Sequence, residues 1–257
     1  LTEKLRVLLT EFPENSHLNL AFEEAFFLSR CSEWTSDVLR IWRNEKAVVI
    51  GVFQKAEEEV DLDFANSNSI QIVRRFTGGG AVYHDLGNIN FALSTKIEGE
   101  GQRGVDFLYD HLIYGAIEAL RLLGFNPSKE NFNDIVIEGK KVIGVAGSIR
   151  KDCAFLHGAM LFSTDLSVLS KVLKVPLKKL QDKKIDSVKY RVSTLSQLKP
   201  EIEQKDVILS LIEGFTKVLG AEGYYFDFPD KREIELARRL YLEKYSTVSW
   251  NFERRRP

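Results

Sequence analysis

Between Val73 and Leu93 the chain reads VRRFTGGGAVYHDLGNINFAL, which sets the run Gly78-Gly79-Gly80 between an arginine pair and a His-Asp pair. Glycine admits positive φ and lets a backbone approach another group closely, and successive N–H groups in such a turn form a concavity for anions. The flanking IQIVRR and NINFALST are rich in β-branched and aromatic residues, so the loop is held between two strands. A tight turn or bulge is the plain reading of three glycines. Arg74 and Arg75 turn the reading towards a phosphate or carboxylate. Two nucleotide motifs are excluded, because no Lys-Ser or Lys-Thr follows the glycines and because a strand, not a helix, comes next.

The rest of the chain is read from its periodicity. Leu18, Ala21, Phe22, Ala25 and Phe26 recur at helical spacing behind a cap at Asn15 or Ser16, which predicts a buried helix over 16–30. DVLRIWRN and AVVIGVF read as two strands joined by the polar NEK turn, a hairpin pattern. A short charged helix over 57–66 leads into IQIVRR. The apolar positions from Phe107 to Leu120 predict a helix closed by Gly124, after which FNPSKENFN reads as a loop. DIVIEGKKVIGVAG alternates on both sides of Glu138-Gly139, a hairpin signal, and FLHGAMLFS continues as a strand. The remainder is mostly helical, with Asp165 as a cap. Strands grouped in hairpins and interleaved with helices predict an α+β layer fold with a mixed sheet.

Charge and cysteine usage narrow the function. Lys and Arg number 36 against 37 Asp and Glu, so no global field recruits nucleic acid or a membrane surface. No apolar run reaches the roughly 18 residues of a membrane span, and the N-terminus lacks the plan of a signal peptide. Cys31 and Cys153 have no metal-type spacing, which fits a reducing cytoplasmic compartment. The 257 residues suit a single catalytic domain.

Some residues gain meaning only together. Lys141 begins a strand otherwise made of Val, Ile, Gly and Ala, where it can point inward, although a strand-edge Lys commonly only deters aggregation. Asn133-Asp134 reads alone as a turn former, and His157-Gly158 as a histidine in a bulged strand. Yet RRFTGGGAVYHDLGN, NDIVIEGKKVIGVAGS, FLHGAMLFSTDLS and KYSTVSWNF occur in the order and spacing of lipoate-protein ligases. The chain resembles their catalytic domain over nearly its whole length. The resemblance implies a largely antiparallel mixed sheet flanked by helices, as in biotin-protein ligases and the core of class II aminoacyl-tRNA synthetases.

It also implies a reaction. The carboxylate of lipoate, or octanoate, attacks the α-phosphate of ATP to give lipoyl-AMP and pyrophosphate; a lysine of an apo lipoyl domain then takes the acyl group. The acceptors would be the glycine cleavage H protein and E2 subunits of 2-oxoacid dehydrogenases. By similarity Arg75, Gly78, Gly79, Gly80, Ala81, Val82 and Tyr83 contact the nucleotide or acyl-adenylate, with Asn133 and Asp134. Lys141 is the catalytic cation, stabilising charge that moves onto oxygen in the transition state. Asp134 is a candidate Mg²⁺ ligand, since Mg²⁺ is held by one or two carboxylates plus phosphate oxygens. His157 and Gly158 line the acyl pocket, while His84 and Asp85 brace the loop. Some ligases carry an accessory domain after WNF; here it is expected to be a separate polypeptide.

The rival is an octanoyl or lipoyl transferase of the same fold, working through a thioester on Cys153 without ATP. CAFLHG together with Lys141 comes close to that pattern, but such transferases lack RRFTGGG. A biotin ligase lacks its basic Gly-Arg-rich signature here, and a mere binding module would not need Lys141.

Overall fold

The structure is a computed structural model that describes residues 4–97, 104–174 and 191–253. The strands are β1 (Leu5–Leu8), β2 (Val38–Trp42), β3 (Lys46–Ile50), β4 (Gln71–Arg74), β5 (Val82–Asp85), β6 (Asn88–Lys96), β7 (Pro127–Glu130), β8 (Asp134–Ile137), β9 (Lys140–Arg150), β10 (Cys153–Leu161) and β11 (Tyr224–Asp227). Eight of them form one sheet in the order β11-β1-β2-β6-β10-β9-β8-β7, and β4-β3-β5 form a second. β1 runs parallel to both of its neighbours, and from β2 to β7 every pairing is antiparallel. The α+β mixed sheet expected from the sequence is present.

Strand alternation sorts the large sheet into two faces. Leu39, Ile41, Ile89, Phe91 and Leu93 point to one side, where helices Tyr114–Leu122 and Gln204–Leu219 bury them in the main core. The alternate residues of the same strands, among them Arg40, Trp42, Asn90 and Ala92, face the other way. Helix α1 (Ser16–Cys31) crosses that face, capped by the Asn15 side chain, which accepts from the Leu18 N–H. The small sheet lies beside α1, and Leu20, Ala21, Trp42, Val49 and Val73 pack there with Tyr245 and Trp250 from the C-terminal segment.

Four expectations need correction. DVLRIW and AVVIG do not form a hairpin: β2 stays in the large sheet while β3 pairs with β4 and β5. The connecting Asn44 is wholly buried, bonded to Asn19 and close to His84, so the connection carries the chain from one sheet to the other. The segment after Gly124 is not all loop, because Pro127–Glu130 pairs with β8 as the sheet's edge strand, where a missing N–H at the first residue is tolerated. The helix over 57–66 is two short helices, broken where Val60 bridges Leu173. The helix from Phe107 begins as a π-helical turn, Phe107–Leu112. The hairpin at Glu138-Gly139 forms as read, with φ of 51° and 72°, the paired positive values of a type I′ turn.

Candidate functional site

A row of residues crosses the large sheet on the α1 face. Register pairs Trp42 with Asn90, Asn90 with Ala159, Ala159 with Gly144 and Gly144 with Asp134. The adjacent row runs Arg40, Ala92, His157, Ala146. Ala159, Gly144 and Ala146 leave a trough, walled by His157, between large residues at one end and Lys141 with Asp134 at the other. The glycine loop and α1 roof it, enclosing a cavity of about 90 Å³. With strands about 4.8 Å apart, Asn90 stands roughly 14 Å from the Asp134 strand.

At the open end, Lys141 Nζ lies 2.5 Å from Asp134 Oδ1, with side chains 35% and 19% exposed. Its inward turn depends on two local features. The β8–β9 register shifts between Ile135 and Val136, which re-aims the strand. Gly144, two strand positions beyond the shift, leaves the space the ammonium occupies: a Cβ there would stand 2.8 Å from Nζ. Residues 191–193 run alongside, Lys141 N–H donating to Arg191 O and Lys141 O accepting from Ser193 N–H. Asn133 Nδ2 donates to Val145 O and also lines the cavity.

The glycine loop is held by the two arginines before it, both buried. The Arg75 guanidinium lines the cavity and donates to Gly78 O, Gly80 O, Val49 O and Thr77 Oγ1. Burial lowers its pKa to about 10, so it keeps its charge at neutral pH, with Glu23 the chief opposing influence. Gly79 adopts φ +90°, and its carbonyl passes so close to Gly51 that a Cβ on Gly51 would stand 2.2 Å from it. Gly80 differs: its φ is not positive, and a Cβ there would meet nothing within 4 Å. Arg74 turns the other way, donating to Trp250 O, Asn251 O, Gly51 O and Gln54 O, while its own N–H donates to Asn251 Oδ1. The C-terminal segment is thereby tied to the base of the loop.

A second network fixes the cavity wall. Glu23, 1% exposed, accepts from Trp42 Nε1 at 3.0 Å and sits 2.9 Å from His157 Nδ1. His157 Nε2 stands 2.7 Å from Thr77 Oγ1. His157 is thus an oriented wall residue tied to the loop.

Of the residues expected at the site, Arg75, Gly79, Gly80, Ala81, Val82, Asn133, Lys141, His157 and Gly158 line this cavity. Gly78 contributes its carbonyl to Arg75, and Asp134 contributes through Lys141. The Tyr83 side chain turns into the core of the small sheet with Ile50 and Leu161. Asp85 does not reach the glycine loop but accepts from Gly87 N and Asp165 N, in the β5–β6 turn and at a helix cap, and His84 lines the cavity. Cys153 lies outside it, wholly buried among Phe27, Ala92 and Phe155, with burial pushing its thiol pKa up. That is the reverse of what a thiolate nucleophile requires. Among the described residues no group of three or more His, Cys, Asp or Glu could hold a metal. Among the described residues Asp134 alone pairs its carboxylate with Lys141, which fits an ion held mainly by phosphate oxygens.

The sequence reading passed over Glu23, Trp42, Thr77 and Asn90. Glu23 follows Leu20 and precedes Phe27 on one helical stripe, so its burial was visible as a charge on an apolar face. Asn88 and Asn90 alternate with the apolar Ile89, Phe91 and Leu93 on a strand that is buried as far as Thr95, a weaker signal.

The chain matches the family model described as the lipoyl protein ligase A/B catalytic domain over residues 15–216. It is 38% identical over 256 residues to lipoate-protein ligase A subunit 1 of Thermoplasma acidophilum, covering 96% of this chain and 95% of that protein. Among solved structures it is similar to a bi-partite lipoate protein ligase, described with its E2 lipoyl domain, from the same organism: TM-score 0.87 at 36% identity, over 99% of this chain and 98% of the other. It is similar also to a lipoate-protein ligase A bound with ATP, with TM-score 0.86 at 36% identity over 96% and 98% of the two chains.

Proposed function

Because the chain belongs to the lipoyl protein ligase A/B family, we propose that it is an ATP-dependent lipoate-protein ligase. It activates lipoate to lipoyl-AMP and passes the acyl group to a lysine of apo lipoyl domains. The observation that carries this reading is the trough, closed at the Trp42 and Asn90 end and open at Lys141 and Asp134. An acid lying in it places its carboxylate beside a fixed ammonium and its chain against Leu20, Trp42 and Val49.

On this reading Lys141 stabilises negative charge on the carboxylate and α-phosphate oxygens as the anhydride forms and again as it is broken. Arg75 contributes a buried positive charge and holds the glycine loop as a preformed backbone surface for the acyl-adenylate. Gly79 to Val82 run along the nucleotide side, with Asn133 opposite. Mg²⁺, arriving with ATP, would meet Asp134, and it would offset phosphate charge. The acyl group needs no covalent stop on the protein. Cys153, buried with a raised pKa, does not suit the transferase alternative.

Partners follow the Thermoplasma relative, whose name makes it one subunit of a two-part ligase. We take this chain as a single catalytic domain that works with a separately encoded accessory subunit, and its acceptors as lipoyl domains of E2 and H-protein type. Among the described residues no helix is long and apolar enough to cross a membrane, and both cysteines are free, as suits the cytoplasm. The test is lipoate-dependent pyrophosphate release from ATP, with and without that subunit, followed by mass spectrometry of an apo lipoyl domain. An amide-linked lipoyl group appearing only with ATP supports the reading; acyl transfer from octanoyl-carrier protein without ATP overturns it.

A further inference from the structure

The inner end of the trough carries polar groups that the protein itself leaves without partners. Asn90 is 1% exposed, yet neither its Nδ2 nor its Oδ1 makes a hydrogen bond; His84 is 4% exposed, and its Nε2 makes none. Both residues line the cavity, and the His84 and Trp42 rings stand edge to face at 5.9 Å. Buried polar groups without partners are uncommon, and one beside a cavity points to what the cavity holds.

The polarity of His84 follows from a chain of bonds that begins at an arginine, which can only donate. Arg40 donates to Asn19 Oδ1 at 2.6 Å, and Phe12 N–H donates to the same oxygen. Asn19 Nδ2 therefore donates to Asn44 Oδ1 at 2.9 Å. That leaves Asn44 Nδ2 facing His84 Nδ1 at 3.2 Å, so Nδ1 accepts and the ring proton sits on Nε2. The ring is neutral, burial being the main cause. The inner end thus presents a fixed N–H from His84 and, from Asn90, an unpartnered amide N–H₂ and amide oxygen.

We propose that Asn90 and His84 read the far end of the acyl chain and select an acid that ends in a hydrogen-bond acceptor over one that ends in a methyl group. This rests on the ligase reading. Within it, the chemistry is that of a dithiolane, whose sulfurs are weak acceptors, against a saturated eight-carbon acid, which would leave both donors buried and unpaired. A site built to bond a polar group rejects an analogue lacking it, because the site's own groups then stay unsatisfied.

The test is titration calorimetry of the wild-type chain with lipoate and with octanoate in the presence of a non-hydrolysable ATP analogue. Wild type should bind lipoate roughly five- to tenfold tighter than octanoate. Asn90→Leu, which keeps the volume and removes the donor, should bring the two affinities within about twofold by weakening lipoate and tightening octanoate. His84→Phe gives a second variant: it keeps a ring in that place, removes the Nε2–H and should narrow the difference between the two acids in the same way. Equal wild-type affinities, or a ratio unchanged in both variants, would overturn the inference and leave the ligase reading standing. Binding of neither acid would overturn both.

Discussion

Lys141 Nζ stands 2.5 Å from Asp134 Oδ1 and over the bare α-carbon of Gly144, where an added Cβ would lie 2.8 Å from the same nitrogen. The position of the ammonium therefore depends on a missing side chain. Gly144→Ala should push Nζ aside and slow lipoyl-AMP formation at least tenfold, about 1.4 kcal/mol in barrier. Stability should change little, because the flexible end of a lysine yields easily. Single-turnover kinetics with a melting curve on the same sample checks both halves.

Cys153→Ala should leave acyl transfer within about twofold of wild type. The thiol is buried away from the trough, and its loss removes a small apolar group at a cost of roughly 1 kcal/mol in stability. A hydroxylamine-sensitive adduct on Cys153, or an inactive variant that still melts cooperatively, would restore the thioester route.

Asn251→Ala should loosen the glycine loop from a distance. Asn251 Oδ1 accepts from the Arg74 N–H and its Nδ2 donates to Tyr245 O, both buried bonds. Stability should fall by roughly 1–3 kcal/mol, read from urea unfolding. The KM for ATP should rise as the loop loses its fixed base.

His84 gives a pH signature. Burial, with the charge of Arg75 adding to it, lowers its pKa from 6.5 to about 3. Below its ordinary value the unfolded chain takes up a proton that the folded chain refuses, so stability falls as pH falls through that window. Between about pH 4.5 and 6.5, above most carboxylate titration, wild type should lose stability more steeply than His84→Gln, by up to one proton's worth of slope. Parallel curves would mean that His84 is protonated in the fold.

How far the sequence disclosed this can be judged from particular residues. The loop between strands, the Asn15 and Asp165 caps and the hairpin at Glu138-Gly139 are local consequences of glycine, capping and alternation, and they were legible, whereas the inward turn of Lys141 depends on the β8–β9 register shift and is not set by alternation. The separation of β2 from β3 was not, because it depends on Asn44 meeting Asn19 and His84, contacts between residues far apart in the chain. The same holds for the arginine pair. Its position beside the glycines marked a site, but that Arg75 holds the loop's carbonyls while Arg74 holds the C-terminal segment depends on Trp250 and Asn251, some 176 and 177 residues away. Glu23 was visible as a charge on an apolar helix face, while Asn90 lies on the polar face of its strand, and only the trough gives either of them meaning.

The central claim is that the acyl group crosses this protein as an adenylate over Lys141. It is tested most directly by supplying preformed lipoyl-AMP and an apo lipoyl domain to wild type and to Lys141→Ala and measuring lipoylation by mass spectrometry. The account predicts transfer by wild type without ATP, and transfer at least 100-fold slower by Lys141→Ala, about 2.7 kcal/mol of lost transition-state stabilisation, with an unchanged melting temperature. A Lys141→Ala rate within tenfold of wild type, or a wild type that lipoylates only from an acyl thioester, would contradict it.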